Sequence, residues 1–281
     1  MTENNELAHG IEKTSYVPDK RYLLEICYDG SGYSGWQLQP NHITVQEVIE
    51  SNLKRLYNDQ HIHLIGSSRT DSGVHALGFA ATYLAPEFPR IPPEKVRSAL
   101  NRLMPGSVRI ASISEVPLGF HARYDALGKA YTYVLNLGDD TPFSARYSWR
   151  PGRPIDEAKL MAGAEYLVGT HDFSSFVVER SRIEEAVRTI YRITGKRFGE
   201  YYCVTFVGNG FLYKMIRCLM GTLEAVGAGV LAPEAVGRIL AARDRCAAPS
   251  TAPPHGLFLN KVFYRQEELE GFELEGVPFF R

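Results

Sequence analysis

The residues best suited to do chemistry lie in one short polar stretch, residues 66–78, with Asp71 at its centre. Asp, Ser and Gly favour tight bends, and apolar residues resume only at Val74, so the pattern predicts a loop that holds a carboxylate. Arg69 lies two residues before Asp71. A neighbouring guanidinium keeps a carboxylate ionised, as a nucleophile or an electrostatic stabiliser requires. The same residues also fit an ordinary Asx turn with a surface arginine, which is a commoner structure.

The elements that position this loop belong to a chain of 281 residues, of which 44% are hydrophobic. Such a chain can bury a sizeable core in one large domain or two smaller ones. No apolar run approaches the roughly 18 residues of a membrane span, and the polar start lacks a signal-peptide pattern, so we expect a cytoplasmic protein. The four cysteines form no CxxC pair and lie far in sequence from the histidines, which indicates neither a zinc site nor a redox motif.

Charge is unevenly distributed along the chain. The formal net charge is −1, but residues 1–18 and 266–281 together contain eight acidic and only two basic side chains. The body, residues 19–265, therefore has 29 basic and 24 acidic side chains and a net charge of +5. Solvated faces with ordinary salt bridges and phosphate-binding patches are both compatible with this excess. The basic residues form two clusters: Arg146, Arg150 and Arg153 around Trp149, and Arg180, Arg182, Arg188, Arg192, Lys196 and Arg197.

In the first half, the patterns follow the order β-α-β-β-α-β, which is that of a ferredoxin-like unit. Thr44 and Glu47 form a capping box at the start of the first helix, and Pro93 can open the second. Strands at 61–67 and 75–84 bracket the Asp71 loop and place the carboxylate at the end of a sheet. The other predicted elements are strands at 21–28 and 107–116 and helices at 44–57 and 93–103.

The second half repeats this order loosely. The predicted elements are strands at 129–137, 187–196, 201–207 and 257–264 and helices at 156–168, 211–226 and 233–243. Two such units with joined sheets would leave a long groove suited to a folded nucleic acid. The chain is accordingly divided into an N-terminal tail (1–18), an N-terminal α/β unit that carries the Asp71 loop (19–126), a C-terminal α/β unit (127–265) and an acidic C-terminal tail (266–281).

A glycine-rich segment, residues 31–40, carries Trp36 in a loop-like context. An aromatic side chain in a flexible polar loop can stack on a nucleic-acid base. It can equally pin the loop to the hydrophobic core. The sequence leaves both interpretations of Trp36 open.

Several stretches resemble motifs of the tRNA pseudouridine synthase A family. Residues 68–76, Ser-Arg-Thr-Asp-Ser-Gly-Val-His-Ala, are similar to the family signature Gly-Arg-Thr-Asp-Ala-Gly-Val-His-Ala, with Ser68 and Ser72 replacing the usual glycine and alanine. The resemblance extends from residue 21 to residue 264, too far to be a coincidence. The other stretches that are similar to family motifs, in the same order, are residues 28–37, 120–133, 167–173, 210–217 and 252–257.

The resemblance implies an α+β fold in which two ferredoxin-like α/β units, related by a pseudo-twofold duplication, share a joined sheet with the active site in the cleft between them. It assigns catalysis to Asp71 as the nucleophile. Arg69 and Arg217 are expected to orient that carboxylate and hold its charge. On the predicted helix, Arg217 shares a face with Tyr213, and an inward-facing arginine needs a carboxylate partner, for which the resemblance suggests Asp71.

Substrate binding is also assigned through the resemblance. Tyr131 and Tyr133 share one face of the predicted strand. The family implies that Tyr131 contacts the target base, whereas Tyr133 is expected to pack in the core. Arg123 and Lys129 are expected to bind the substrate, and Lys129 stands where many members have arginine, which keeps the charge but loses bidentate geometry. The histidines of these motifs, His75, His121 and His171, are expected to be structural.

The implied reaction is the isomerisation of uridine to pseudouridine at positions 38, 39 and 40 in the anticodon stem-loop of tRNA. No redox cofactor, metal or nucleotide triphosphate is needed, and no membrane is involved. A homodimer with tRNA crossing both subunits is expected from the family. Two alternatives remain open: a non-catalytic tRNA- or RNA-binding module of the same fold, and an unrelated carboxylate-dependent hydrolase, which would need a second acid or base beside Asp71.

Overall fold

One large sheet runs through the computed structural model, which describes residues 20–178 and 185–280. Its nine strands, in spatial order, are β4, β1, β3, β9, β5, β8, β7 and β6, with β2 paired to β3. The strands are β1 (Arg21–Tyr28), β2 (Ile65–Gly66), β3 (His75–Leu84), β4 (Val108–Val116), β5 (Gly128–Asn136), β6 (Gly169–Asp172), β7 (Val187–Phe198), β8 (Tyr201–Gly208) and β9 (Leu257–Phe263). The helices of the described residues are α1 (Val45–Leu56), α2 (Pro93–Leu103), α3 (Glu157–Glu165), α4 (Met215–Gly227), α5 (Glu234–Ala242) and α6 (Gln266–Glu270).

The strand order shows that the architecture is duplicated. With strands numbered within each unit, β4-β1-β3-β2 and β9-β5-β8-β7 both follow the order 4-1-3-2, and β6 is added at the outer edge. The units are joined by parallel pairing of β3 with β9, in which His75 lies opposite Phe258 and Ala76 opposite Leu259. The joined sheet of two ferredoxin-like units is thus confirmed. The two strands that join the units do not occupy equivalent positions, because β3 is the third strand of the first set and β9 is the fourth strand of the second.

Helices α1–α5 pack on one face of this sheet and form a common hydrophobic core with it. Helix α1 begins as its capping pattern predicts, because Thr44 Oγ1 accepts a hydrogen bond from the Glu47 N–H at 3.3 Å. Helix α4 begins at Met215 rather than near residue 211, because Lys214 adopts a left-handed conformation with φ of 57°. Tyr213 therefore lies before the helix, and the prediction that it shares a helical face with Arg217 is wrong.

Trp36 belongs to the core. Its side chain is 1% exposed and stacks on Phe79, with ring centroids 3.9 Å apart. Gly66 leaves room for the indole, since a Cβ at residue 66 would lie 2.6 Å from Trp36 Nε1. The interpretation of Trp36 as a base-stacking residue is wrong, because a ring buried at this depth has no face left for a nucleotide.

The C-terminal segment is folded onto the sheet instead of forming a tail. Leu269, Leu274 and Val277 are buried, and they pack on the face of β5, β8 and β9 that lies opposite helices α3 and α4. Arg192 donates to the Leu269 and Phe272 carbonyls at 2.8 and 2.9 Å. Lys196 Nζ donates to the Leu274 carbonyl at 3.0 Å. The acidic side chains of residues 266–280 face solvent while the apolar ones between them are buried.

Within residues 20–178 and 185–280, no helix combines the length and the apolar character that crossing a membrane requires.

Candidate active site

The Asp71 loop, residues 67–74, connects β2 to β3 at the junction of the two units. Its backbone is held from the first unit: the Trp36 N–H donates to the Thr70 carbonyl at 3.2 Å, and the Tyr28 hydroxyl lies 2.8 Å from Thr70 Oγ1. Gly35 packs directly against the loop, where a Cβ would lie 2.5 Å from the Thr70 carbonyl oxygen. Gly73 has φ of 80°, a conformation that favours glycine. The loop is therefore a tightly fixed bend.

Asp71 forms an ion pair with Arg217, which lies in the first turn of α4 in the second unit. Arg217 Nη1 lies 2.8 Å from Asp71 Oδ2, and the two side chains are only 14% and 11% exposed. Arg217 Nε also donates to the Ala252 carbonyl at 2.8 Å, which fixes the orientation of the guanidinium. A charge-assisted hydrogen bond in a mostly desolvated setting holds the carboxylate in one position. The structure thus brings together two of the residues that the sequence predicts for the site.

Arg69 does not share that task. Its side chain is exposed and forms no ion pair within the described part of the chain. Among the described residues the ion pair of Asp71 is with Arg217, and the role expected of Arg69 at the site stays a prediction. Arg69 is instead an exposed cation at the rim of the site.

Tyr131 lies beneath the loop on β5 and is 7% exposed. Burial raises the pKa of Tyr131 to about 12; a hydrogen bond with the Ser68 side chain opposes this shift and the charge of Asp71 adds to it. Phe211 packs edge-on against the ring, with centroids 5.4 Å apart. Tyr133 is fully buried and its hydroxyl donates to the Pro253 carbonyl at 2.7 Å, as expected for a packing residue.

Phe211 is a site residue that the sequence interpretation missed. It lies within the matched stretch 210–217, but the expected helix over 211–226 gave it no distinct place. Only the start of α4 at Met215 shows that residues 211–214 form a connecting segment beside Tyr131.

Lys129 is buried, 8% exposed, and its Nζ donates to the Ser67 carbonyl at 2.6 Å. Burial, together with the nearby charges of Arg123 and Arg188, lowers the pKa of Lys129 to about 8. Arg123 is exposed, with its guanidinium carbon 5.6 Å from the Tyr124 ring centroid. Lys129 therefore contacts the Asp71 loop from the second unit, and Arg123 faces solvent near it.

The two departures from the family signature are accommodated locally. The Ser72 hydroxyl donates to the Tyr33 carbonyl at 3.1 Å, which ties the Asp71 loop to the glycine-rich segment. The Ser68 side chain lies close enough to Tyr131 to oppose the rise in the pKa of that phenol. Both replacements therefore add contacts to the loop without displacing Asp71 from Arg217.

The three motif histidines have structural contacts. His75 is buried; its Nδ1 lies 3.1 Å from the Gly30 nitrogen, and its Nε2 lies 3.1 Å from the His255 carbonyl oxygen. His121 Nδ1 accepts from the Arg123 N–H at 3.1 Å. His171 Nε2 lies 2.9 Å from the Val168 carbonyl oxygen. Each ring therefore has a backbone partner, which agrees with the structural role expected from the sequence.

Most of the basic clusters serve the fold. Arg146 pairs with Asp29 at 2.7 Å and Arg150 with Asp139 at 3.2 Å, while Arg197 pairs with Glu157. Arg192 and Lys196 bind the C-terminal segment. Arg180 and Arg182 lie outside the described residues. Of the two interpretations left open for the second cluster, contacts within the protein hold for Arg192, Lys196 and Arg197, because their charged groups bind protein atoms.

An ionised carboxylate that is fixed by a guanidinium, next to a buried neutral phenol, is suited to covalent or electrostatic catalysis. The carboxylate comes from one α/β unit and its main partners come from the other. These features define an enzyme with its reactive acid at the junction of a duplicated fold.

Comparisons with known proteins identify the family. The tRNA pseudouridine synthase model matches residues 26–125 and 164–265. The tRNA pseudouridine synthase A of Exiguobacterium sibiricum is 42% identical over 249 residues, which cover 89% of this chain and 98% of that protein. That of Halalkalibacterium halodurans is 40% identical over 255 residues, which cover 89% and 95%. The chain therefore belongs to the tRNA pseudouridine synthase family, which is a family of isomerases.

Among solved structures, a Cbf5-Nop10-Gar1 complex is similar at a TM-score of 0.36 and 13% identity, over 87% of this chain and 60% of that chain. A likeness of this size carries no inference about the site. Lys129 and Tyr131 lie between the two ranges of the family match, and residues 266–280 lie beyond its end.

Proposed function

We propose that this protein isomerises uridine to pseudouridine at positions 38, 39 and 40 in the anticodon stem-loop of tRNA, with Asp71 as the nucleophile. One observation carries the proposal: in a chain of the tRNA pseudouridine synthase family, the signature aspartate is paired with Arg217 at 2.8 Å across the junction of the units. Relatives named tRNA pseudouridine synthase A, which are 42% and 40% identical to this chain, support tRNA as the substrate.

The reaction exchanges one bond for another. The C1′–N1 bond breaks, the detached uracil turns while it is held, and C5 joins C1′; N1 gains a proton and C5 loses one, so that the product is an isomer. Asp71, fixed by Arg217, supplies the negative charge that this step requires. Because the pKa of Tyr131 is raised to about 12, its ring meets the base as a neutral phenol at physiological pH.

A uridine must leave its stack before it can reach Asp71. Arg69, exposed at the rim of the site, is placed to fill the space that the base vacates. Arg123 is also exposed and is proposed to contact the RNA backbone. Lys129 is proposed to act less directly, since its ammonium group holds the Ser67 carbonyl of the Asp71 loop.

The larger assembly is part of the proposal. The division into units at residues 19–126 and 127–265 is supported by the change from one 4-1-3-2 strand set to the next. A homodimer with tRNA crossing both subunits, in the cytoplasm, follows from the family resemblance. Sedimentation of the protein with and without tRNA would test the dimer.

The test of the reaction uses unmodified tRNA without added metal or cofactor. Wild-type protein should form pseudouridine at positions 38–40, as mapped by carbodiimide modification and primer extension. Asp71→Asn is nearly isosteric and should abolish the product while keeping most of the RNA affinity, since binding is spread over many phosphate contacts. Asp139→Asn, which changes a carboxylate that is 97% exposed, is the matched control and should leave the rate unchanged.

Each alternative function gives a different outcome. Wild-type protein that binds tRNA but leaves its uridines unchanged would establish the non-catalytic binding module. Release of free uracil would establish a hydrolase. An Asp71→Asn variant as active as wild type would remove Asp71 from its assigned role.

A further inference from the structure

The end of the C-terminal segment places an aromatic side chain against the junction of the two units. The Phe279 ring stacks on Tyr147, with centroids 5.5 Å apart, and meets Tyr201 edge-on at 5.3 Å. It also lies 6.2 Å from Phe258 on β9. The neighbouring Phe280 is 71% exposed. Residue 279 is therefore the point at which this segment enters an aromatic cluster.

That cluster extends from the second unit into the first. The Tyr147 hydroxyl donates to Asp29 Oδ2 at 3.0 Å, and Arg146 pairs with the same oxygen at 2.7 Å. Burial opposes ionisation of Asp29, but hydrogen bonds that involve His75, Ser31 and Tyr147 hold its pKa well below the usual range. Asp29 is therefore a fixed anion to which Tyr147 anchors the second unit.

His75 continues the cluster towards the Asp71 loop. Its ring stacks on Phe258 at 4.7 Å and lies 5.1 Å from the Tyr147 ring. His75 directly follows Val74, whose N–H donates to the Asp71 carbonyl at 3.1 Å. The contacts thus form a continuous path from Phe279 through Tyr147 and His75 to the backbone of Asp71.

We propose that residues 271–280 form a strap across the sheet and that Phe279 is a positioning residue, which keeps the Asp71 loop in register with Arg217 by packing on Tyr147. This inference rests on the proposed isomerase reaction, in which Asp71 and Arg217 act from different units. The strap lies beyond the residues that the family model matches, which end at residue 265. Small displacements of a reacting group lower the rate strongly, which is why a distant contact can affect turnover.

The test compares Phe279→Ala with Phe143→Ala, which removes the same side chain from a position outside the strap that is 83% exposed. Phe279→Ala should lower kcat on unmodified tRNA about 5- to 10-fold and change KM less than 2-fold, because the loop shifts while the RNA contacts remain. Phe279→Tyr, which restores the ring, should recover most of kcat. Tyr147→Phe removes only the hydroxyl bond to Asp29 and should lower kcat in the same direction.

A second measurement does not depend on turnover. Amide hydrogen exchange in residues 67–75 should be faster in Phe279→Ala than in wild type and unchanged in Phe143→Ala. Unaltered kcat and unaltered exchange in Phe279→Ala would overturn the strap. A lowered melting temperature with normal kcat and normal exchange at 25 °C would also overturn it, by showing a purely structural side chain. If wild-type protein forms no pseudouridine, the proposed function fails and the exchange result alone decides whether the strap holds the loop.

Discussion

The two units contribute unequally to the site. The first unit supplies Asp71, the proposed nucleophile, on a loop that its own backbone holds tightly. The second unit supplies the groups that surround that carboxylate: Arg217 on α4, and Lys129 and Tyr131 on β5. Neither unit alone contains an ion-paired Asp71. The joined sheet therefore does more than bury surface, because the parallel pairing of β3 with β9 completes the site.

The two units also differ in how their strands are buried. In β1, buried residues alternate with partly or fully exposed ones, and Glu25 on its outer face accepts a hydrogen bond from Ser112 at 3.2 Å. In β5 every residue is buried, so both faces of this strand are covered. The difference arises because the C-terminal segment covers the second unit opposite its helices. A ferredoxin-like sheet can leave the face opposite its helices exposed to water. In the second unit, which holds Asp71 through Arg217, the C-terminal segment covers that face.

The largest effect should come from breaking the contact between the units at Asp71. Arg217→Gln removes the charge partner of a carboxylate that is 11% exposed, and such a loss costs about 3–5 kcal/mol. We expect the same stabilisation of Asp71 to be lost in the transition state, so kcat should fall about 100- to 5,000-fold, since 1.36 kcal/mol corresponds to a factor of ten in rate. Single-turnover pseudouridine formation on unmodified tRNA measures it.

Two variants sharpen this prediction. Arg217→Lys keeps the charge but loses the fork that also binds the Ala252 carbonyl, so its rate should be intermediate. Arg238→Gln changes an exposed arginine on α5 of the same unit and should leave the rate within 2-fold of wild type. If Arg217→Gln were equally active, the second unit would not be needed to hold the carboxylate.

Local sequence patterns predict the contribution of the first unit well. The Asp71 loop, the capped start of α1 and the repeated element order all depend on residues close together in the chain, and the structure confirms them. Which of two arginines binds Asp71 could not be settled in this way. Arg69 is near in sequence and Arg217 is 146 residues away, yet tertiary packing brings the distant one into contact.

The missed features have similar physical causes. By composition alone, the segment 266–280 resembles a solvated acidic tail. Its place in the fold is decided by Leu274 and Val277, which are buried against the sheet. Arg192 and Lys196 look like phosphate ligands until the carbonyls of that segment are placed beside them. Strand β2 covers only Ile65–Gly66 of the predicted strand at 61–67, and it pairs with Ala81 and Thr82 of β3.

The next largest effect concerns the covered face of the second unit. Leu274 is buried against β5, β8 and β9, so Leu274→Ala should lower the free energy of unfolding by about 2–4 kcal/mol. Leu23 lies on the outer face of β1 and is half-buried, so Leu23→Ala should cost about 1 kcal/mol. Urea unfolding at a fixed pH measures both. Equal losses in the two variants would mean that the C-terminal segment does not distinguish the two faces.

The smallest effect is a pH dependence that arises from Lys129. Its pKa is lowered to about 8 in the folded protein, first by burial and then by Arg123 and Arg188, against about 10.4 in an unfolded chain. Between these values the unfolded chain binds more protons, so this group makes the folded state more stable as the pH rises and less stable as it falls.

Lys129→Met removes this titration and keeps the length of the side chain. The stability of wild type relative to Lys129→Met should therefore rise by about 1.5 kcal/mol between pH 8 and pH 9.5, as measured by urea unfolding at a series of pH values. Lys95→Met, which changes an exposed lysine on α2 of the first unit, is the matched control and should show a difference from wild type that does not vary with pH. A flat difference for Lys129→Met as well would show that Lys129 stays fully protonated in the folded protein over this range. The ammonium group would then hold the Ser67 carbonyl as a permanent cation, and the second unit would support the Asp71 loop independently of pH.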